Sequence, residues 1–500
     1  MRLPLQCLLL GSLLLSLNAV AAKPADNAAT ADASVITEHQ VKINGDTVRY
    51  RAVAGETQLS DDKEQPWAGI YSVSYFRTDI RPSEYRPVTF VFNGGPGSAS
   101  VWLHLGLYGP KRIEVPGDAK DDGAAPFRLI DNTHSMLDVS DLVFIDPVGT
   151  GYSRAMGEYQ GKDFWGVKED ARVLAEFVRV WLNEHDRWNS PKYLAGESYG
   201  TARAAALVNQ LQGGWTDIAV NGVMLISSIL DFSHARYQPG NHQPYIGYLP
   251  TMAATAFYHG KVSAADNAMG LEAFVEASRQ FALNDYALAL LAGSRLDPKQ
   301  YQAVRKQLAR FTGLDEAYLD RVNLRVSGPR FSKQLLRAQD LTVGRLDSRY
   351  TGKDYDAGGE YADNDPSGYG IDAAYTAAIN HYLRGELGVT TSRRFNVLSG
   401  DVYSNWNWEM DNGQPKYVNV APYLGKAQRE NSDFRIFVAN GYFDLATPFF
   451  ATENTIADNG IDAKRVEMQY YPSGHMMYVE PQSLAKLADD LRRFYQSAEE

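Results

Sequence analysis

The chain has 500 residues, of which 44% are apolar and 22% charged, a globular balance that excludes a disordered, collagen-like or coiled-coil chain. The formal net charge is −11 and the Lys and Arg residues are scattered, so no basic patch offers itself to nucleic-acid phosphates. The length admits one elaborated α/β domain or two domains.

Arg2, an apolar run from Cys7 to Leu17 and the small residues Ala19-Val20-Ala21 read as a secretory signal peptide over residues 1–22. The competing reading is an uncleaved membrane anchor, but Pro4, Gln6, Ser12, Ser16 and Asn18 dilute the run below what a span requires. No stable membrane anchor is therefore expected. Cys7 is the only cysteine, so cleavage leaves an exported chain, periplasmic or extracellular, that folds without disulfides. Residues 23–34 are small and polar, a flexible lead-in.

Two alternating runs over 40–54 flank Asn44-Gly45 and predict a hairpin. A strand follows at 69–76. The continuous β-rich run 88–92 has the pattern of a buried strand, stopped by Asn93-Gly94-Gly95-Pro96-Gly97. A second buried strand covers 141–146, and helical spacing covers 164–184. A short strand at 193–195 runs into Gly196-Glu197-Ser198-Tyr199-Gly200, a helix continues to Leu211, and a strand covers 223–229. This alternation predicts an α/β fold: a mostly parallel central sheet with helices on both faces. The rhythm breaks over 235–390, which reads as a largely helical cap insertion. It returns with strands at 434–439 and 466–471 and an amphipathic helix at 484–494. The expected organisation is a core in two parts, 35–234 and 391–500, around that insertion.

Gly196 to Gly200 fits G-x-S-x-G, a sharp strand-to-helix turn that projects the hydroxyl of Ser198. The N–H of Tyr199, at the helix start, is a natural oxyanion donor. A serine nucleophile needs a base and a residue to orient it, and in α/β hydrolases these follow as an acid and then a histidine. Asp444 and His475 each lie in a loop just past a late strand, and His475 follows a glycine. The eight other histidines precede the serine or fall in or beside the insertion. Asp433 is the main rival to Asp444, but it precedes its strand. The loop 93–97 lacks the lysine of a phosphate-binding loop and suits a second oxyanion donor, assigned to Gly95.

The pieces NGGPGSAS (93–100), FIDPVGTGYS (144–153), GESYG (196–200), NGYFDLATP (440–448) and SGHMM (473–477) together resemble the serine carboxypeptidase family of α/β-hydrolase peptidases. The resemblance implies a triad of Ser198, Asp444 and His475 and an oxyanion hole from Gly95 and Tyr199. It further implies that Asn93, Gly94 and Glu197 bind the substrate's C-terminal carboxylate. The activity it implies is release of C-terminal residues from peptides through an acyl-enzyme, without metal or other cofactor. Three features depart from the pattern. Ser98 stands where a cysteine is usual, Gly200 where an alanine is usual, and Leu107 near the position of a second acid that would pair with Glu197. Esterase, acyltransferase and aminopeptidase chemistry can use the same machinery.

Two weaker signals remain. Residues 354–365 faintly resemble a calcium loop, but Gly358 and Asp365 break the pattern, which favours a solvated acidic loop. The aromatics of 402–408, with Tyr245, Tyr248 and Tyr258, suit either a cleft lining or packing under the insertion.

Overall fold

The computed structural model describes residues 34–80, 85–120, 123–213, 217–410 and 417–496. The expected signal peptide and all but the last residue of the lead-in lie outside them.

Nine strands form the spine of the main sheet: β1 (Val35–Ile43), β2 (Asp46–Ser60), β3 (Pro66–Arg77), β4 (Val88–Phe92), β5 (Asp141–Ile145), β6 (Lys192–Glu197), β7 (Gly222–Ile226), β8 (Arg435–Gly441) and β9 (Val466–Tyr471). Their spatial order is β1-β2-β3-β5-β4-β6-β7-β8-β9, and the short strand Arg154–Ala155 pairs with β3 off this path. The six strands from β5 to β9 in that order run parallel, and β1, β2 and β3 add an antiparallel edge. The hairpin turn falls where the Asn-Gly pair predicts it, because Asn44 and Gly45 both adopt the positive φ (49° and 92°) that a tight hairpin demands.

Strands β4 to β7 are buried along their whole length, as sheet strands covered on both faces must be. One face is covered by the helices Val167–Glu184, Tyr199–Gln212 and Ala421–Glu430, the other by Asp372–His381 and Pro481–Gln496. Strand β7 stops at Ile226, short of the expected 229, because Ser227 turns to φ 52° and its N–H donates to Ala439.

A third apolar core belongs to the helices between Gln243 and Gln334, and includes Tyr442, Phe443 and Leu445 from the loop after β8 and Phe449 from the helix that follows. The insertion is thus rooted in the segment that carries Asp444. It is also stitched there by irregular backbone. Leu445 N–H donates to Arg345 O (3.0 Å), Ser348 N–H to Phe443 O (2.9 Å) and His475 N–H to Leu346 O (2.7 Å), and Gly474 N–H donates to Asp347 Oδ2 (3.1 Å).

Candidate active site

The parallel strands end on one edge of the sheet, and the residues singled out by the motifs gather there. Central strand β6 delivers Ser198 into the helix Tyr199–Gln212. Ser198 sits at φ 60°, ψ −129°, a conformation a non-glycine residue holds only when its surroundings force it. Its N–H donates to Ile226 O at 3.0 Å. The bracketing glycines are required by close approach. A Cβ on Gly196 would lie 2.1 Å from Gly200 O, and one on Gly200 would lie 2.8 Å from Phe92 O.

The loop after β4 packs against this elbow, and a Cβ on Gly94 would meet the Tyr199 nitrogen at 2.5 Å. Gly95 adopts φ 101° and, unlike its neighbours, is exposed. Among the described residues the N–H groups of Gly95 and Tyr199 have no protein acceptor, and both residues line the same cleft as Ser198. Arg203, one turn along the helix, is buried. It donates to Asp170 Oδ2 at 2.6 Å and to the carbonyl of Asn93, which ties the glycine loop to the elbow from behind.

Asp444 and His475 meet past the ends of β8 and β9, with His475 Nδ1 at 2.7 Å from Asp444 Oδ2. A carboxylate only accepts, so Nδ1 carries the proton and Nε2 is left as the basic nitrogen. Asp444 also accepts from Ala446 N–H (2.8 Å), Thr447 N–H (3.0 Å) and Thr447 Oγ (2.7 Å). Thr447 Oγ lies 3.2 Å from His475 Nδ1 as well, so one hydroxyl steadies both groups. Sequence reasoning missed Thr447, although its place three residues after Asp444 was the available signal. Burial pulls the His475 pKa down, but the Asp444 and Glu197 carboxylates outweigh it and hold the imidazole above its usual 6.5. The rival Asp433 is exposed and lies before β8.

Asn93 and Glu197 are brought together, but under the cleft surface. Asn93 Nδ2 donates to Glu197 Oε1 (3.1 Å), and Asn93 Oδ1 accepts from Leu103 N–H (3.0 Å). Glu197 Oε2 accepts from the phenol of Tyr478 at 2.6 Å. Leu107 is fully buried, and the Tyr478 ring fills the space beside Gly106. A phenol therefore partners Glu197 in place of a second carboxyl, which nothing in the local sequence announced. Burial, opposed by His475, Tyr478 and Asn93, pushes Glu197 up to about 7.

The cleft has a volume of about 570 Å³ and is walled by Tyr248, Tyr403 and Trp408 with Arg345 and Arg236. Of the aromatics left open by the sequence, these three face the cleft. Trp406 is instead buried against Tyr199, with centroids 5.2 Å apart. In the acidic loop at 354–365, Lys333 Nζ pairs with Asp354 and donates to the backbone carbonyl of Asp356, so an ammonium already occupies the Asp354 carboxylate. No group of three or more His, Cys, Asp or Glu able to hold a metal occurs among the described residues. No helix among them is long and apolar enough to cross a membrane.

Comparison with known proteins gives a consistent picture. Residues 73–307 match the family model described as serine carboxypeptidase. Serine carboxypeptidase-like 14 of Arabidopsis thaliana is 28% identical over 142 residues, 28% of this chain and 31% of that protein. Serine carboxypeptidase-like 36 of the same plant is 32% identical over 134 residues, 26% of each. The chain thus spans about a third or less of the length of these curated relatives. Among solved structures, Kex1(delta)p of Saccharomyces cerevisiae, a prohormone-processing carboxypeptidase, superposes with a TM-score of 0.54 at 15% identity, covering 89% of this chain and 91% of that one. That likeness is one of fold, the α/β-hydrolase fold.

Proposed function

We propose, from the match of residues 73–307 to the serine carboxypeptidase family model, that the chain is an exported serine exopeptidase that releases C-terminal residues from peptides through an acyl-enzyme. The observation that carries this reading is the strained Ser198 elbow, which shares one cleft with the undonated amides of Gly95 and Tyr199. Ser198 Oγ attacks the scissile carbonyl and passes its proton to His475 Nε2. Asp444, with four donors fixing it, holds the ring and stabilises the imidazolium. The amides of Gly95 and Tyr199 receive the oxyanion, the second aided by the helix N-terminus. His475 then protonates the leaving amine, and water attacks the acyl-enzyme by the same route. The cap, residues 235–390, supplies the outer wall of the cleft. The protein works in a periplasm or outside the cell.

A second reading, an esterase or acyltransferase on the same machinery, is favoured by one observation. Glu197 is buried and partnered by Tyr478, and Leu107 brings no second acid.

Mass spectrometry of a peptide ladder, with free-acid and amidated forms side by side, tests the first reading. C-terminal trimming of the free acid is expected, and Ser198→Ala should reduce turnover on the order of 10⁶-fold. Full activity of Ser198→Ala, or phosphonate labelling of a different residue, would overturn the assignment. Ester turnover without peptide trimming would select the second reading.

A further inference from the structure

The carboxylate-binding role that the resemblance assigns to Asn93, Gly94 and Glu197 meets a difficulty in this chain. Asn93 and Glu197 are 2% and 4% exposed, their polar atoms are engaged with each other, with Leu103 and with Tyr478, and neither lines the cleft. Once ionised, Glu197 would repel a substrate carboxylate, and Leu107 adds no second acid with which it could share a proton.

The cleft offers cations elsewhere. Arg345 lines it together with Ser198 and is exposed, and its guanidinium has no ion pair or hydrogen bond among the described residues. Its backbone, by contrast, is pinned on both sides. The carbonyl accepts from Leu445 N–H (3.0 Å), next to Asp444, and the amide donates to Asp365 Oδ1 (2.9 Å). The guanidinium is therefore displayed from a fixed point beside the Asp444–His475 couple, and its charge already acts on His475. Arg236 lines the same cleft without a carboxylate partner among the described residues, 5.9 Å above the Trp408 ring.

Two carboxylates also reach this wall, and both are engaged by backbone amides. Asp363 accepts from Tyr355 N–H (2.8 Å), and Asp365 accepts from the amides of Arg345, Leu346 and Ser367. An arginine fork matches a carboxylate bidentately, and the aromatic walls of Tyr248 and Trp408 lower the local dielectric and strengthen such a contact.

We infer that this cleft recognises a carboxylate on its substrate through Arg345, with Arg236 as the second cation. The carboxylate is either the free C-terminus or an acidic side chain beside the scissile bond. The inference rests on the hydrolase reading of Ser198, and it moves recognition from the buried Glu197 to the cap.

The test measures kcat/KM for wild type, Arg345→Gln and Arg345→Lys on five matched substrates. These are a free-acid peptide, its amide, an amidated peptide with Glu in place of Gln beside the scissile bond, and a neutral acyl ester with its carboxylate-bearing counterpart. Wild type should prefer the anionic member of a pair. Arg345→Gln should lower the anionic-to-neutral ratio by ~10–100-fold, through KM, as loss of one charge-assisted contact implies. Arg345→Lys should retain part of it, because charge survives and the fork does not. A loss confined to the acid/amide pair identifies the C-terminus, and one confined to the Glu/Gln pair identifies the side chain. A wild-type ratio near one, or an equal loss on all substrates, overturns the subsite. Should wild type turn over no peptide while Ser198 still reacts with a phosphonate, the exopeptidase reading fails alone. The ester pair then decides the subsite by the same ratio.

Discussion

At the scale of single residues, the site depends on the charge shared among His475, Asp444 and Glu197. In the proposed mechanism His475 must be neutral to act as base, and its pKa stands above 6.5. The acid limb of kcat/KM is therefore expected above pH 6.5, with catalysis rising toward neutral and alkaline pH. The Glu197 charge contributes to that elevation, so Glu197→Gln should move the limb to lower pH, read from a pH–rate profile. The same carboxyl bears on stability. Its folded pKa of about 7 exceeds the ordinary 4.5, so its contribution is full below pH 4.5 and is lost as pH rises through 7. That loss is on the order of 3 kcal/mol. Thermal unfolding of Glu197→Gln at pH 5 and pH 8 should accordingly differ less than in the parent chain. The proposed triad of Ser198, Asp444 and His475 could be read as candidates because each sits in a glycine-bearing loop just past a recognisable strand. Tyr478 and Thr447 were not. Tyr478 finds Glu197 across 281 positions of chain, and no local pattern encodes a contact at that range. Arg345 gave no signal either, since one arginine in an irregular loop looks like any solvated cation.

At the scale of elements, the strand–elbow–helix unit is held by a buried ion pair. Arg203 and Asp170 are both nearly inaccessible, and burial pushes the Asp170 carboxyl upward even beside the guanidinium. Removing one partner strands the other charge in the core. Arg203→Ala should lower the unfolding free energy by about 3–5 kcal/mol, measurable as a reduced urea midpoint. The exposed pair Lys426–Glu430, 3.9 Å apart, should contribute less than about 1 kcal/mol. The unit itself was visible in the sequence, because an apolar strand, two glycines around a serine and an alanine-rich helix form a local pattern. The end of β7 was misread by three residues. Ile229 and Leu230 resume the apolar run beyond Ser227 and Ser228, and only the turn at Ser227 ends the strand.

At the scale of the molecule, the α/β alternation was readable as a rhythm of apolar strands and amphipathic helices, and the helical character of the insertion as its interruption. How the insertion is joined to the loops of Asp444 and His475 was not, because residues 345–348 are irregular and carry no period. Asp347 is the polar centre of that junction. It accepts from Gly474 N–H, and its ion pair with Arg349 extends to Ser473 Oγ (3.0 Å). Asp347→Ala should loosen the loop that aims His475 while leaving the main sheet intact. A fall in kcat of about 10²-fold is expected, with a smaller change in KM and an unchanged far-UV circular dichroism spectrum.

The backbone bonds from residues 345, 346 and 348 to 443, 445 and 475 also bear on how such an enzyme diversifies. On the proposed mechanism, the wall that would touch the substrate and the loops that would aim the proton carrier are one hydrogen-bonded piece. A cap exchanged for that of a relative brings its own partners for these loops, so selectivity and turnover are inherited together. Recombinants joined outside 345–348 and 443–475 keep the two in register, whereas crossovers between those segments separate them.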